Sequence, residues 1–228
     1  MEPMVLESLL IFAASLLIPA GLLILSLKRK PVWVPEGPLA PFWSKLNYFS
    51  FGLSALVSAL VVIFYKDYAF TFKGLVALTV APYAYIFLQT LFTDFKQRLA
   101  DRRILNISIV FSAILGIIFL NHYNYPDLVN FVLFFIFTAI LFFIPSIGES
   151  DTRALALTLS VAYPIIGLTG IKLALILFFP LLISYFIYLA IKNKNFKAAF
   201  AARVSIPMVP FIILPALLLV VSYPFMSF

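Results

Sequence analysis

Residues 130–167 read NFVLFFIFTAILFFIPSIGESDTRALALTLSVAYPIIG. Two apolar runs flank a short polar island, Gly148-Glu149-Ser150-Asp151-Thr152-Arg153. Crossing the hydrocarbon of a bilayer takes about 20 residues of helix. Inside it, only helices and closed barrels satisfy every backbone N–H and C=O. Runs this continuous lack the in–out alternation of barrel strands. The stretch therefore predicts two membrane helices joined by a charged connection.

The same reading extends in both directions. Apolar runs occupy 4–27, 47–65, 75–93, 104–120, 128–147, 154–169, 171–191 and 204–224, and predict an all-α, polytopic membrane bundle of about eight transmembrane helices. Composition agrees: 64% of the 228 residues are hydrophobic and 11% are charged, against roughly 45–50% and about 25% in soluble domains. The pair 154–169 and 171–191 is separated only by a tight LTG turn, and merging it into one bent element would reverse the C-terminal orientation. Seven prolines, at 145, 164, 180, 207, 210, 215 and 224, fall in or at the ends of spans, where they can kink helices.

Charge gives the orientation. Counting alternate connections, thirteen Lys and Arg fall in the first, third, fifth and seventh, and three (Lys66, Lys73, Lys172) in the others. Under the positive-inside rule the first set is cytoplasmic and both termini are extracytoplasmic. The segments DFKQR (94–98) and GESD (148–151) then share the cytoplasmic face. The first run has its acidic residues before it and KRK after it, opposite to a cleavable signal peptide, so it reads as a retained span. Residues 28–46, containing VPEGPLAP, read as a short cytoplasmic connector.

Several function classes drop out. The net charge of +7 comes from residues at span ends rather than along one polar face, as topology signals do, so no nucleic-acid partner is expected and the lipid bilayer is the surrounding partner. There are no cysteines, which removes disulfides, thiolate metal sites and a Cys nucleophile. The single histidine, His122, has no second His beside it and reads as a loop residue rather than a metal ligand. No metal and no cofactor are implied, and oligomeric state is not encoded in any visible pattern.

Nine acidic residues remain. Glu2, Glu36, Asp67 and Asp127 read as solvated, Glu7 reaches the headgroup region, and Glu149 reads as a solvated loop charge. Asp94 closes the third run and Asp151 opens the sixth, at one membrane depth. One reading makes them boundary charges paired with Arg98 and Arg153, with Asp151 capping the helix it precedes. The other makes them a site, because ionisable groups at membrane depth are costly. Two carboxylates held close together share a proton, so that one serves as base toward water and the other as acid toward a carbonyl oxygen. Asp101 competes with Asp94, but its basic surroundings keep it ionised.

These residues resemble a known family. Gly148-Glu149-Ser150-Asp151, followed by Thr152-Arg153 and a small apolar helix, resembles the GxGD motif of the type IV prepilin peptidases, with Ser150 in place of the second glycine. Thr93-Asp94-Phe95-Lys96-Gln97-Arg98, leading to Ile104-Leu105-Asn106, is similar to that family's first aspartate segment. Ile206-Pro207-Met208-Val209-Pro210-Phe211 looks like its IPFGPF segment. The resemblance implies that Asp94 and Asp151 are the catalytic pair, with Gly148 and Ser150 shaping the motif backbone. It implies one transmembrane peptidase domain over 1–228, which cleaves the basic leader from type IV pilin-like or archaeal flagellin-like precursors at the cytoplasmic face of the cell membrane. The cysteine-bearing cytoplasmic domain of the long members is missing, and 28–46 stands in its place, so methyltransferase activity is not expected. Two other classes stay open: a proton-coupled small-solute transporter that uses the same carboxylates, and an inactive peptidase-like scaffold.

Overall fold

The computed structural model describes residues 3–28, 40–97, 102–123, 125–141, 143, 149–192 and 208–226. Helices run over Pro3–Ser15 (α1), Leu17–Lys28 (α2), Ala40–Phe64 (α3), Phe70–Gln97 (α4), Arg102–Tyr123 (α5), Tyr125–Leu141 (α6), Glu149–Lys192 (α7) and Met208–Ser222 (α8), followed by a 3-10 turn at Tyr223–Phe225. Among the described residues, six helical stretches are long and apolar enough to cross a bilayer, and Asp127–Leu141 is a shorter apolar helix. The chain is a polytopic helical membrane protein. Connector 28–46 is shorter than expected, because α3 already begins at Ala40. His122 sits in the last turn of α5 rather than in a loop.

Local chemistry explains the shapes. The Met4–Lys28 span is broken at Leu16 because Pro19 has no N–H to give the Ser15 carbonyl. Leu16 N–H bonds instead to the Ala13 carbonyl at 3.3 Å. The Ser15 hydroxyl donates to the Phe12 carbonyl at 2.7 Å and meets the Ser58 hydroxyl of α3. Along α3, Asn47, Ser50, Ser54 and Ser58 are fully buried. Ser50 and Ser54 bond back to the carbonyls of Leu46 and Ser50 at 2.9 and 3.0 Å. Small side chains satisfied within their own helix let another helix come close, and α3 lies along the length of α4.

α4 occupies the centre of the bundle and is the most enclosed span. Around one of its ends Tyr65, Tyr68, Phe72, Phe119 and Tyr223 form an aromatic cluster, and the Tyr65 hydroxyl donates to the Val220 carbonyl of α8. α5 and the start of α7 run parallel: Arg102 meets Glu149, Asn106 meets Arg153, and a Cβ at Gly116 would come within 2.9 Å of Pro164 Cγ. Glycine at 116 is what permits that approach.

α7 is two helical arms joined at a kink, and it folds back on itself. At Gly167 the backbone has φ 62° and ψ −167°, a region essentially restricted to glycine. Leu155 and Leu159 before the bend, and Ala174 and Phe178 after it, line one cavity. On a straight helix Leu155 and Phe178 would lie roughly 35 Å apart at 1.5 Å per residue. The two arms of α7 therefore pack side by side.

Candidate functional site

The site is built where α4 ends and α5 and α7 begin. α7 starts at Glu149, so Asp151 is the third residue of the helix rather than its cap, within a polar first turn that precedes the apolar run from Ala154. Glu149 is not a solvated loop charge. Its carboxylate takes Arg102 at 2.8 Å and Arg153, one turn on, at 2.6 Å. Arg153 Nε donates to Asn106 Oδ1 at 2.8 Å.

Those bonds engage Arg153 away from Asp151. Among the described residues the Asp151 carboxylate has neither a hydrogen bond nor an ion pair. It is half-buried. Burial without a counter-charge among the described residues disfavours the ionised form of a carboxyl. The reading of Asp151 as a boundary charge neutralised by Arg153 is therefore corrected: the cation pairs with Glu149.

Asp94 belongs to the last turns of α4, and its side chain lies outside the described residues. Its position on the helix follows from packing further up. The Tyr83 hydroxyl sits 2.8 Å from Thr158 Oγ1 of α7 and donates to the Ile213 carbonyl of α8 at 3.2 Å. At 100° per residue, positions 83, 90 and 94 share one face of α4, and positions 158 and 151 share one face of α7. The register that sets Tyr83 against Thr158 thus brings the faces carrying positions 94 and 151 toward each other. α4 and this arm of α7 run antiparallel, so position 90 is level with 151. Position 94 is one turn further toward the charged end, about 6 Å along the axis.

Other expected site residues divide similarly. Ser150 lies in the first turn of α7 and is half-buried. Gly148, Arg98 and Asp101 lie outside the described residues, as do Ile206 and Pro207, while Val209 and Pro210 are buried at the start of α8. Among the described residues no three His, Asp or Glu side chains cluster as a metal ion needs.

One constellation went unread in the sequence. Trp43 Nε1 donates to the Ser26 carbonyl at 3.1 Å, Tyr85 OH to Asn47 Oδ1 at 2.7 Å, and Gln89 Nε2 to the same Asn47 oxygen. All five residues are buried. This network ties α2, α3 and α4 together on the flank of α4 away from position 94. The three- and four-residue spacing of Asn47, Ser50, Ser54 and Ser58 was the available signal for a polar stripe on α3, but nothing in the sequence named Tyr85 and Gln89 as its partners.

Comparison with protein-family models, with curated proteins and with solved structures found no match to this chain.

Proposed function

We propose that this chain is a membrane aspartic endopeptidase of the prepilin-peptidase type, with Asp94 and Asp151 as its catalytic pair. The observation that carries the reading is the register between α4 and α7. Tyr83 of α4 meets Thr158 of α7, and by helix periodicity positions 94 and 151 lie on the same faces as those two residues. A second support is the half-buried Asp151 carboxyl, which has no basic partner among the described residues.

The chemistry follows from two carboxyl groups sharing one proton. The ionised one takes a proton from water as the water oxygen adds to the substrate carbonyl carbon. The protonated one gives its proton to the carbonyl oxygen. When the tetrahedral adduct collapses, the carboxyl that took the water proton gives it to the departing nitrogen, the C–N bond breaks, and one hydroxyl of the adduct returns its proton to the other carboxylate. The products are a carboxylic acid and an amine, and the pair again holds one proton.

In this reading the substrate is a type IV pilin-like or flagellin-like precursor whose apolar helix stays in the bilayer while its basic leader reaches the site. Both arms of α7 and the shorter α6 cross the membrane, giving eight crossings with both termini extracytoplasmic and the site on the cytoplasmic face. Its location at one face favours a peptidase over a transporter relay, which would place its acids near mid-bilayer.

The test is co-expression with a pilin-like precursor. Asp94→Asn and Asp151→Asn are each expected to abolish leader removal, by at least about a thousandfold given what acid–base and electrostatic catalysis contribute, while the protein still accumulates in the membrane. Undiminished cleavage by either variant would refute the assignment.

A further inference from the structure

We propose that the start of α4 binds the phosphate of a phospholipid whose acyl chain lies in the groove between α1, α4 and α5. The inference stands apart from the peptidase reading and concerns the opposite end of α4. It begins with a helix end that its own sequence leaves without an anion. The N–H groups in the first turn of a helix have no carbonyl within that helix and carry a partial positive charge. Such ends are commonly closed by Ser, Thr, Asp or Asn at the cap, or by acids in the first turn. α4 has neither. The Lys73 N–H bonds to the Ala69 carbonyl at 2.9 Å, which makes an alanine the cap, and the first turn contains no acid. It carries a cation instead.

Lys73 is 2% exposed. Among the described residues its ammonium makes neither a hydrogen bond nor an ion pair. Asp67, the nearest acid in the chain, is exposed and makes no such bond with them either. Burying a charge without a partner is costly, and a lysine at the positive end of a helix adds repulsion. Side chains on a helix tilt toward its N-terminus, so the Lys73 stem carries its ammonium toward those same N–H groups. A cation and a set of N–H donors directed at one point suit an oxyanion such as phosphate.

Depth and surroundings select a lipid. Phe70 begins a span long and apolar enough to cross the bilayer, so this helix end lies at headgroup level. Tyr68, Phe72 and Tyr223 cluster at the same end, as aromatic residues do at membrane interfaces. Beside it a groove of about 810 Å³ is lined by Leu10 and Ala14 of α1, Gly74 and Leu78 of α4, and Leu115 and Ile118 of α5. A cavity of about 150 Å³ takes up benzene, so this volume suits an acyl chain rather than a single ring. From Phe70 to Leu78 the groove follows α4 for about 12 Å into the hydrocarbon. Gly74 deepens it, because a carbon added there would meet nothing within 4 Å.

The test uses the purified protein, stripped of lipid in detergent and supplied with a phospholipid that carries a photoreactive group on its acyl chain. A diacylglycerol with the same chain, and the phospholipid with excess inorganic phosphate, are the comparisons. Crosslinks from the phospholipid are expected within residues 10–14, 70–78 and 115–118. The diacylglycerol, which lacks the phosphate, is expected to give about tenfold fewer. Inorganic phosphate is expected to leave labelling unchanged, since it fills only the polar half of the site. Lys73→Met, which keeps the stem and removes the charge, is expected to lower labelling about tenfold, and Lys73→Arg to retain it. Gly74→Leu, which fills the groove, is expected to lower it as well. Parent-like labelling in both Lys73→Met and Gly74→Leu would overturn the proposal, as would equal labelling by the diacylglycerol. Loss of labelling on adding inorganic phosphate would make this a site for the free ion and overturn the lipid assignment. Should the variants fail to accumulate, the crosslink positions and the diacylglycerol comparison on the parent decide alone.

Discussion

At the scale of single residues, the central fact is a half-buried carboxyl whose expected counter-ion is occupied elsewhere. A half-buried charge that no described cation neutralises weakens a fold. Asp151→Asn keeps the shape and removes the charge, so it is expected to unfold in detergent at pH 8 at the parent's temperature or above it; a clearly lowered unfolding midpoint would mean that the carboxylate is solvated or ion-paired. Sequence reading located this residue but misassigned its neighbours. With GESD taken as a loop, Arg153 stood beside Asp151; once the segment is helical, residues two apart diverge and residues four apart meet, so the arginine goes to Glu149. Asp151 as a helix-opening acid was legible, and its lack of a partner among the described residues was not.

At the scale of elements, Gly167 is the position that glycine alone satisfies. Gly167→Ala forces a side chain into a backbone region that costs about 1–3 kcal/mol, and the loss should appear as a lowered unfolding midpoint in detergent. Gly52→Ala, at a helical site with nothing within 4 Å of the added carbon, is the control and should leave the midpoint unchanged or raised. The runs of Leu, Ile and Phe on either side of LTG announced two apolar arms, because hydropathy reports length and burial. They carried no information on how abruptly the chain turns between them, which depends on one dihedral angle. The interior prolines Pro82, Pro164, Pro180 and Pro215 all lie within helices, so proline spacing alone did not mark the breaks. The break at Leu16, three residues before Pro19, was likewise invisible to a hydropathy window.

At the scale of the whole molecule, a cysteine-free sequence permits a direct test of orientation. Single cysteines replacing Lys66 or Lys172 should react with a membrane-impermeant maleimide added outside intact cells, whereas those replacing Lys28 or Arg102 should react only after the membrane is opened. The reverse pattern would invert the bundle and place the proposed site on the wrong face for a basic leader. The class of fold was legible because bilayer thickness and backbone hydrogen bonding leave few alternatives, and the Lys and Arg bias between alternate connections is a coarse signal that survives errors in helix ends. The lateral arrangement of the helices was not, because it depends on contacts such as Tyr83 with Thr158 and Gly116 with Pro164, between residues far apart in the chain.

The reversal within α7 also bears on biosynthesis. In the proposed eight-crossing arrangement its arms are joined with almost no hydrated linker, so neither can settle in lipid while the other waits in water, and the insertion machinery must release them as a unit.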